Sequence, residues 1–189
     1  LHRDVKAENV LLREDGTPVL ADFGIGCRAS DEAARMYRCG TPGSIPPEVL
    51  LKRGWNERSD VFGAGVMFYF MFSGHGPFEG RDSLDTLERT VVSRMSFSAH
   101  KCFLRVSPEA KHLMRHLTRK HYEHRPSAGE ALLDDWFQEQ QIVERSHLIS
   151  EDEATCGGRV GALQVSPTDI VAGEEGVGMG VDIDHQSMP

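Results

Sequence analysis

Asp15-Gly16 stands between two short apolar runs, Val10-Leu11-Leu12 and Val19-Leu20-Ala21. An Asp-Gly pair in that setting signals a β-hairpin, because glycine accepts the left-handed backbone of a tight connection. The hairpin constrains what surrounds it. A turn centred between Asp15 and Gly16 sets Asn9 opposite Asp22 at the open end. Two oxygen-bearing side chains there suit a hard, oxygen-preferring cation such as Mg²⁺. A plain surface hairpin with polar ends has the same local pattern.

Asp4 and Lys6 lie on the loop entering this hairpin. A carboxylate there can accept a hydroxyl proton, and a positioned base contributes roughly 10²–10⁴ in rate. Lys6 supplies positive charge where phosphoryl oxygens gather charge in a transition state. Each alone reads as a solvated loop residue. Together they spell H-R-D-V-K-A-E-N, followed after twelve residues by D-F-G.

At these residues the chain resembles the eukaryotic serine/threonine protein kinases. His2-Arg3-Asp4 with Asn9 fits their catalytic loop, and Asp22-Phe23-Gly24 fits their metal-binding triplet. The resemblance implies that Asp4 is the catalytic base and that Asn9 and Asp22 hold Mg²⁺. It implies that Phe23 packs to set active or inactive states. Lys6, two residues after the base, is similar to the serine/threonine rather than the tyrosine branch.

Residues 25–45 are polar and irregular, which points to a functional loop without structure of its own. The stretch resembles an activation segment that closes with Gly40-Thr41-Pro42 and Pro46-Pro47-Glu48. Thr41 matches the threonine that bonds the catalytic Asp and Lys. Pro46 departs from the usual Ala of the closing motif, and Ser44 stands where an aromatic is common. Tyr37 occupies the place of an activating phosphothreonine, whose phosphate Arg3 would ordinarily pair. Ser30 is an alternative phosphorylation site.

Val49–Arg53 reads as a short helix stopped by Gly54. Ser59-Asp60 caps an apolar run, 61–72, that ends at Ser73-Gly74. Apolar on most sides, this helix must be buried on most sides, and twelve residues are too few to span a bilayer. In the resemblance it is the central helix of the C-terminal lobe, with Asp60 bracing the catalytic-loop backbone. Phe62 stands where Trp is frequent.

A helix near Ser83 sets Leu84, Leu87 and Val91 on one face. Ser107-Pro108-Glu109 starts another, with Ala110, Leu113, Met114 and Leu117 facing inward. His112 and His116 share a face of it with no third ligand in view, the pattern of a polar helix surface. Ser127 and Glu130 form a capping box for a last helix, buried through Leu132, Leu133, Trp136 and Phe137. The pattern over 107–137 is most similar to the calcium/calmodulin-dependent kinase group. There Arg125 pairs with Glu48.

The net charge is −8. From residue 140 on, nine Asp and Glu face two Lys and Arg, so the acidity belongs to the C-terminal stretch. The body therefore offers no charge argument for nucleic acid. Seven glycines and no aromatic residue mark 149–189, which predicts a disordered tail. Residues 140–148 could extend the last helix. Asp182 and Asp184 open like a calcium loop but lack its glycine and distal glutamate. Ser166-Pro167 reads as a linker feature. Cys27, Cys39, Cys102 and Cys156 include no C-x-x-C pair, and no basic-then-apolar leader opens the chain. Reduced thiols in an intracellular, cytoplasmic protein are expected, with the nucleus left open.

These readings give a mainly α fold: the helical C-terminal lobe of a protein kinase over 1–139, with a short β-hairpin carrying the catalytic and metal residues, then an acidic, Gly-rich tail over 140–189. The expected activity is transfer of the γ-phosphoryl of ATP, with Mg²⁺, to Ser or Thr hydroxyls of a protein substrate, with no nucleic acid or membrane as partner. The sequence carries no signal of oligomeric state. The expected site is Asp4 and Lys6 in catalysis, Asn9 and Asp22 at the metal, Thr41 on the activation segment, and Arg3, Glu48, Asp60 and Arg125 in support. No Gly-rich loop, strand Lys or partner Glu of a nucleotide-binding lobe occurs in the 189 residues. The expectation is a fragment or incomplete gene model, inactive alone, with an apolar patch exposed. A pseudokinase-like scaffold is the alternative function, and a small-molecule phosphotransferase fits the Asp-Asn pair but not the Gly-Thr-Pro segment.

Overall fold

A computed structural model describes residues 1–138. The expected tail, its Ser166-Pro167 and Asp182/Asp184 features, and the helical extension over 140–148 lie outside the described residues. Among the described residues the chain is mainly helical, with one two-stranded antiparallel sheet.

The sheet is the hairpin of β1 (Val10–Leu12) and β2 (Pro18–Leu20). Its register differs by one residue from the expected one. Val10 faces Leu20, Leu11 faces Val19 and Leu12 faces Pro18. The cause is the connection, which has three central residues. The Gly16 amide donates to the Arg13 carbonyl at 2.9 Å, Arg13 N–H donates to Thr17 at 3.0 Å, and Gly16 takes a φ of 81°. This is a type I turn followed by a left-handed glycine bulge, and its odd count moves the pairing by one. Asn9 therefore faces Ala21, whose N–H donates to the Asn9 carbonyl at 2.8 Å, and Asp22 lies one step further out.

The segment expected to lack structure contains a helix, α1 (Glu32–Met36), started by the Asp31 carboxylate accepting from Ala34 N–H. The short α2 (Pro47–Leu50) follows. The long helix is α3 (Glu57–Ser73), which begins before the expected cap. Asn56 is its N-cap, and Ser59 closes a reciprocal capping box at N3. Asp60 is thereby released from capping. Gly74 ends α3 in the left-handed conformation.

Then come α4 (Ser83–Val92), α5 (Pro108–Leu117) and α6 (Ala128–Ala131). Ser107 and Ser127 cap α5 and α6 as expected, the latter with Glu130 in the capping box. The core lies between α3 and α5. Phe62, Val66 and Tyr69 of α3 pack with Phe78, Phe103, Ala110 and Met114. Val61, Leu113, Leu117 and Ala131 form an adjoining cluster. The helices meet closely at Gly65, where an added Cβ would lie 2.7 Å from both the Leu117 Cβ and the Thr118 Cγ2.

Three apolar assignments are corrected. Leu84 is exposed, and Thr90 is the buried residue of α4. Leu132 and Leu133 are exposed as well, because α6 stops at Ala131, and Trp136 and Phe137 alone pack against the core. Cys27, Cys39 and Cys102 are free thiols. Among the described residues no helix is long and apolar enough to cross a membrane. Leu11, Leu12, Leu20 and Phe23 on and beside the hairpin are exposed, as are Phe70, Met71 and Phe72 at the end of α3.

Candidate active site

Asp4 is the hub of the site. Its Oδ1 accepts from the Thr41 hydroxyl at 2.8 Å and from Thr41 N–H at 3.1 Å. Its Oδ2 forms an ion pair with the Lys6 Nζ at 2.8 Å, and that Nζ also donates to the Thr41 Oγ1 at 2.8 Å. Asp4, Lys6 and Thr41 thus form a closed triangle. Burial pushes the Asp4 carboxyl upward, but hydrogen bonds from Lys6 and Thr41 outweigh it and hold the group below the usual carboxylate range. It is therefore ionised at neutral pH.

Asn9 is buried and joins the same hub. Its Nδ2 donates to the Asp4 carbonyl at 2.9 Å and to Oδ2 at 3.2 Å. The amide nitrogen is thereby committed, leaving Oδ1 as the atom able to meet a cation. Asp22 is exposed, and its Oδ1 accepts from Gly24 N–H at 3.2 Å. Its backbone sits at a φ of 61°. A non-glycine residue pays about 1–3 kcal/mol to stay in that region, and such residues cluster at functional sites. The acceptors on Asn9 and Asp22 are all oxygen, a donor set that fits Mg²⁺.

The catalytic loop is braced from α3. The Asp60 carboxylate accepts from His2 N–H and Arg3 N–H, each at 2.8 Å. Arg3 is the second left-handed residue of the site, with a φ of 70°. Gly63 lets the loop sit on α3, since a Cβ there would lie 2.8 Å from the Val5 carbonyl oxygen. The glycine interruptions of the apolar run were the sequence signal for this contact. The sequence placed His2 in the His2-Arg3-Asp4 motif but gave it no role of its own. Its Nε2 lies 2.8 Å from the Ala21 carbonyl, and its ring meets Phe23 edge-on at 4.7 Å. It ties the two ends of the motif together. Phe23 is 63% exposed, so this edge contact is far from a buried packing role.

Arg3 reaches the stretch expected to be an activation segment through backbone carbonyls. Its guanidinium donates to the carbonyls of Ile25 and Ala34, the latter within α1. Tyr37 stands exposed just beyond α1.

Glu48 and Arg125 are paired as expected, at 2.7 and 2.6 Å, both buried. Ser59 donates to the same carboxylate at 2.7 Å, and the Arg125 guanidinium lies over the Phe62 ring at 4.9 Å. The pair joins α2, α3 and the segment before α6 beneath the site. Beside Lys6 and Thr41 opens a groove of about 170 Å³, walled by Val66, Phe70, Pro77 and Phe78. A larger cleft of about 500 Å³ lies between Tyr69, Arg89 and His100. It holds none of the residues of the Asp4 hub, whereas Lys6 and Thr41 line the smaller groove.

Residues 1–137 match the family model described as "Protein kinase domain". The chain is 33% identical over 130 residues to ribosomal protein S6 kinase alpha-3 of Mus musculus, covering 68% of this chain and 17% of that protein. It is 32% identical over 142 residues to the calcium/calmodulin-dependent protein kinase cmkB of Emericella nidulans, covering 72% and 35%. It is 31% identical over 172 residues to the serine/threonine-protein kinase PEPKR2 of Arabidopsis thaliana, covering 89% and 36%. The chain thus spans about a sixth to about a third of the length of these relatives.

Proposed function

The chain belongs to the protein kinase family, and on that premise we propose that residues 1–138 form the helical, catalytic lobe of a serine/threonine protein kinase. The observation that carries the reading is the triangle of Asp4, Lys6 and Thr41. It holds an ionised carboxylate and an ammonium group together beside an open groove. The similarity to a serine/threonine-protein kinase supports the substrate class. The free thiols of the described residues support an intracellular setting.

The acceptor hydroxyl donates a hydrogen bond to Asp4. The Thr41 and Asn9 contacts fix the carboxylate so that the hydroxyl oxygen is aimed at the γ-phosphorus of ATP. That oxygen forms the new P–O bond as the bond to ADP breaks, and the hydroxyl proton passes to Asp4. A carboxyl held below its usual range is a weak proton acceptor, so orientation is its larger contribution and proton transfer comes late. Lys6 donates to the moving phosphoryl oxygens, where negative charge is in transit. Asn9 and Asp22 would hold Mg²⁺, which when bound neutralises charge on the phosphate oxygens.

The test is phosphorylation of a basic peptide from Mg-ATP by the full-length protein. Asp4→Asn and Asp22→Ala are each expected to lower turnover by about 10² or more. Turnover retained in both overturns the assignment. A second reading, a non-catalytic binding module, draws on the exposed Leu11, Leu12 and Phe23. Full-length wild-type protein that captures partners but never turns over ATP would favour it.

A further inference from the structure

Away from the Asp4 hub, α5 meets the segment that follows α6. His112 and His116 are one helical turn apart on α5, and residues at that spacing share a helix face. Their ring centroids are 5.5 Å apart. The sequence offered no third ligand for them. The fold supplies one in Asp134, and one ligand atom from each of the three lies within 4.8 Å of the other two. The Asp134 carboxylate is anchored, since its Oδ1 accepts from Trp136 N–H at 3.1 Å. Backbone partners of this kind orient metal ligands and hold them in place. His116 is half-buried and His112 is exposed, so one ring is already positioned and the other is free to swing.

We propose that His112, His116 and Asp134 form a binding site for a zinc-class divalent cation. Two imidazole nitrogens and one carboxylate oxygen are a borderline donor set, suited to Zn²⁺ and unsuited to Mg²⁺ or Ca²⁺, which take oxygen. Zinc bonds of about 2.0–2.1 Å place tetrahedral ligand atoms about 3.4 Å apart. The 4.8 Å spread therefore exceeds the bound geometry by about 1.4 Å, so the side chains must draw together on binding, and His112 is exposed. The C-terminal end of α5 adds the partial negative charge of its last carbonyls. Arg119 opposes a cation here, its guanidinium held in place by an Nη1 bond to the His124 carbonyl at 2.8 Å, and the Asp134 carboxylate offsets that charge. Three protein ligands leave a fourth position for water. Such an ion would clip α5 to the segment carrying Trp136 and Phe137, which pack on the same core cluster.

The 189-residue chain, stripped with a chelator and dialysed, is titrated with ZnCl₂ by calorimetry and by thermal melting. Binding of Co²⁺ is followed by the visible absorption of a tetrahedral site. One Zn²⁺ per chain is expected, with a rise in melting temperature that grows with metal concentration. His112→Gln and Asp134→Asn are each expected to weaken binding by about tenfold or more. His112 is exposed, and the amide oxygen introduced by Asp134→Asn can still accept from Trp136 N–H, so both variants should melt near wild type without metal. Two results overturn the site: no stoichiometric Zn²⁺ binding by wild type, or wild-type affinity in both variants, which would put the ion elsewhere.

Discussion

Glu48 and Arg125, 77 residues apart in the chain, form a buried two-pronged ion pair with contacts of 2.7 and 2.6 Å. No polar edge of the pair is wasted. Ser59 bonds the same carboxylate, and the carbonyls of Arg58 and Arg119 take further guanidinium protons at 2.9 and 2.6 Å. Helix α2 is thereby fastened to the start of α3 and to the C-terminal part of the described chain.

Breaking that pair from one side leaves a buried charge. Arg125→Ala or Glu48→Ala is expected to cost about 3–5 kcal/mol, whereas Glu48→Leu with Arg125→Met should cost less than either single change. Urea unfolding of the three variants reads this directly. Single-variant losses below about 1 kcal/mol would show that the pair is solvated.

Thr41→Val keeps the side-chain shape and removes the hydroxyl between Asp4 and Lys6. A hydrogen bond to a charged group is worth about 1.5–3 kcal/mol, so kcat of the full-length protein is expected to fall about 10–100-fold with little change in KM for ATP. The Asp4 carboxyl should also move up toward its ordinary value. A depressed carboxyl stabilises the fold above its unfolded pKa, and that contribution disappears as pH falls through the folded one. The stability gap between wild type and Thr41→Val should therefore be widest near neutral pH and narrow below about pH 4. A gap independent of pH would contradict the role given to the hydroxyl.

Two glycines should answer oppositely to alanine. At Gly63 the new Cβ lies 2.8 Å from the Val5 carbonyl oxygen, so α3 or the catalytic loop must shift. Overpacking of this kind costs about 1–3 kcal/mol, and because Val5 sits between Asp4 and Lys6, kcat should fall as well. At Gly129, within α6, a Cβ meets nothing within 4 Å. Gly129→Ala is expected to stabilise by about 0.4–1 kcal/mol. Thermal melts of both, with kcat for the first, settle the comparison.

Asp85 lies in the first turn of α4. The Arg81 backbone N–H, then the Arg89 side chain, lower its carboxyl from the ordinary 3.8 to about 2. Its stabilising contribution is complete above about pH 4 and is lost as pH falls toward 2. Carboxyl-carbon NMR should show Asp85 titrating near 2, and Asp85→Asn should flatten the stability profile in that window. Titration near 3.8 would mean that the contacts to Arg81 and Arg89 do not persist in solution.

The side-chain cluster around Asp4 was legible in the sequence because it depends on residue type at short spacing. Asp4, Lys6, Asn9 and Asp22 lie within one stretch, and Thr41 completes the hub as expected. Two caps were legible for the same reason: Ser107 and Ser127 each accept from an amide three residues on. The hairpin was legible as an element but not in register, since whether a turn has two or three central residues depends on backbone angles around Gly16. α1 was missed because a five-residue helix has too few positions to show a period.

The sequence by itself determined which side-chain atoms lie close together around the hairpin and where α5 and α6 begin, since both are set by side-chain type and local hydrogen bonding. Tertiary structure decided the long-range contacts that no motif implied. Capping α3 at Asn56 freed Asp60 from its own helix end, so that it serves only the amides of His2 and Arg3 that the resemblance implied. The fold of residues 25–36 gave the Arg3 guanidinium two backbone carbonyls. The end of α6 left Leu132 and Leu133 in solvent and brought Asp134 to the histidines of α5. Contacts between distant parts of a chain are set by how whole helices pack, and no local spacing encodes that.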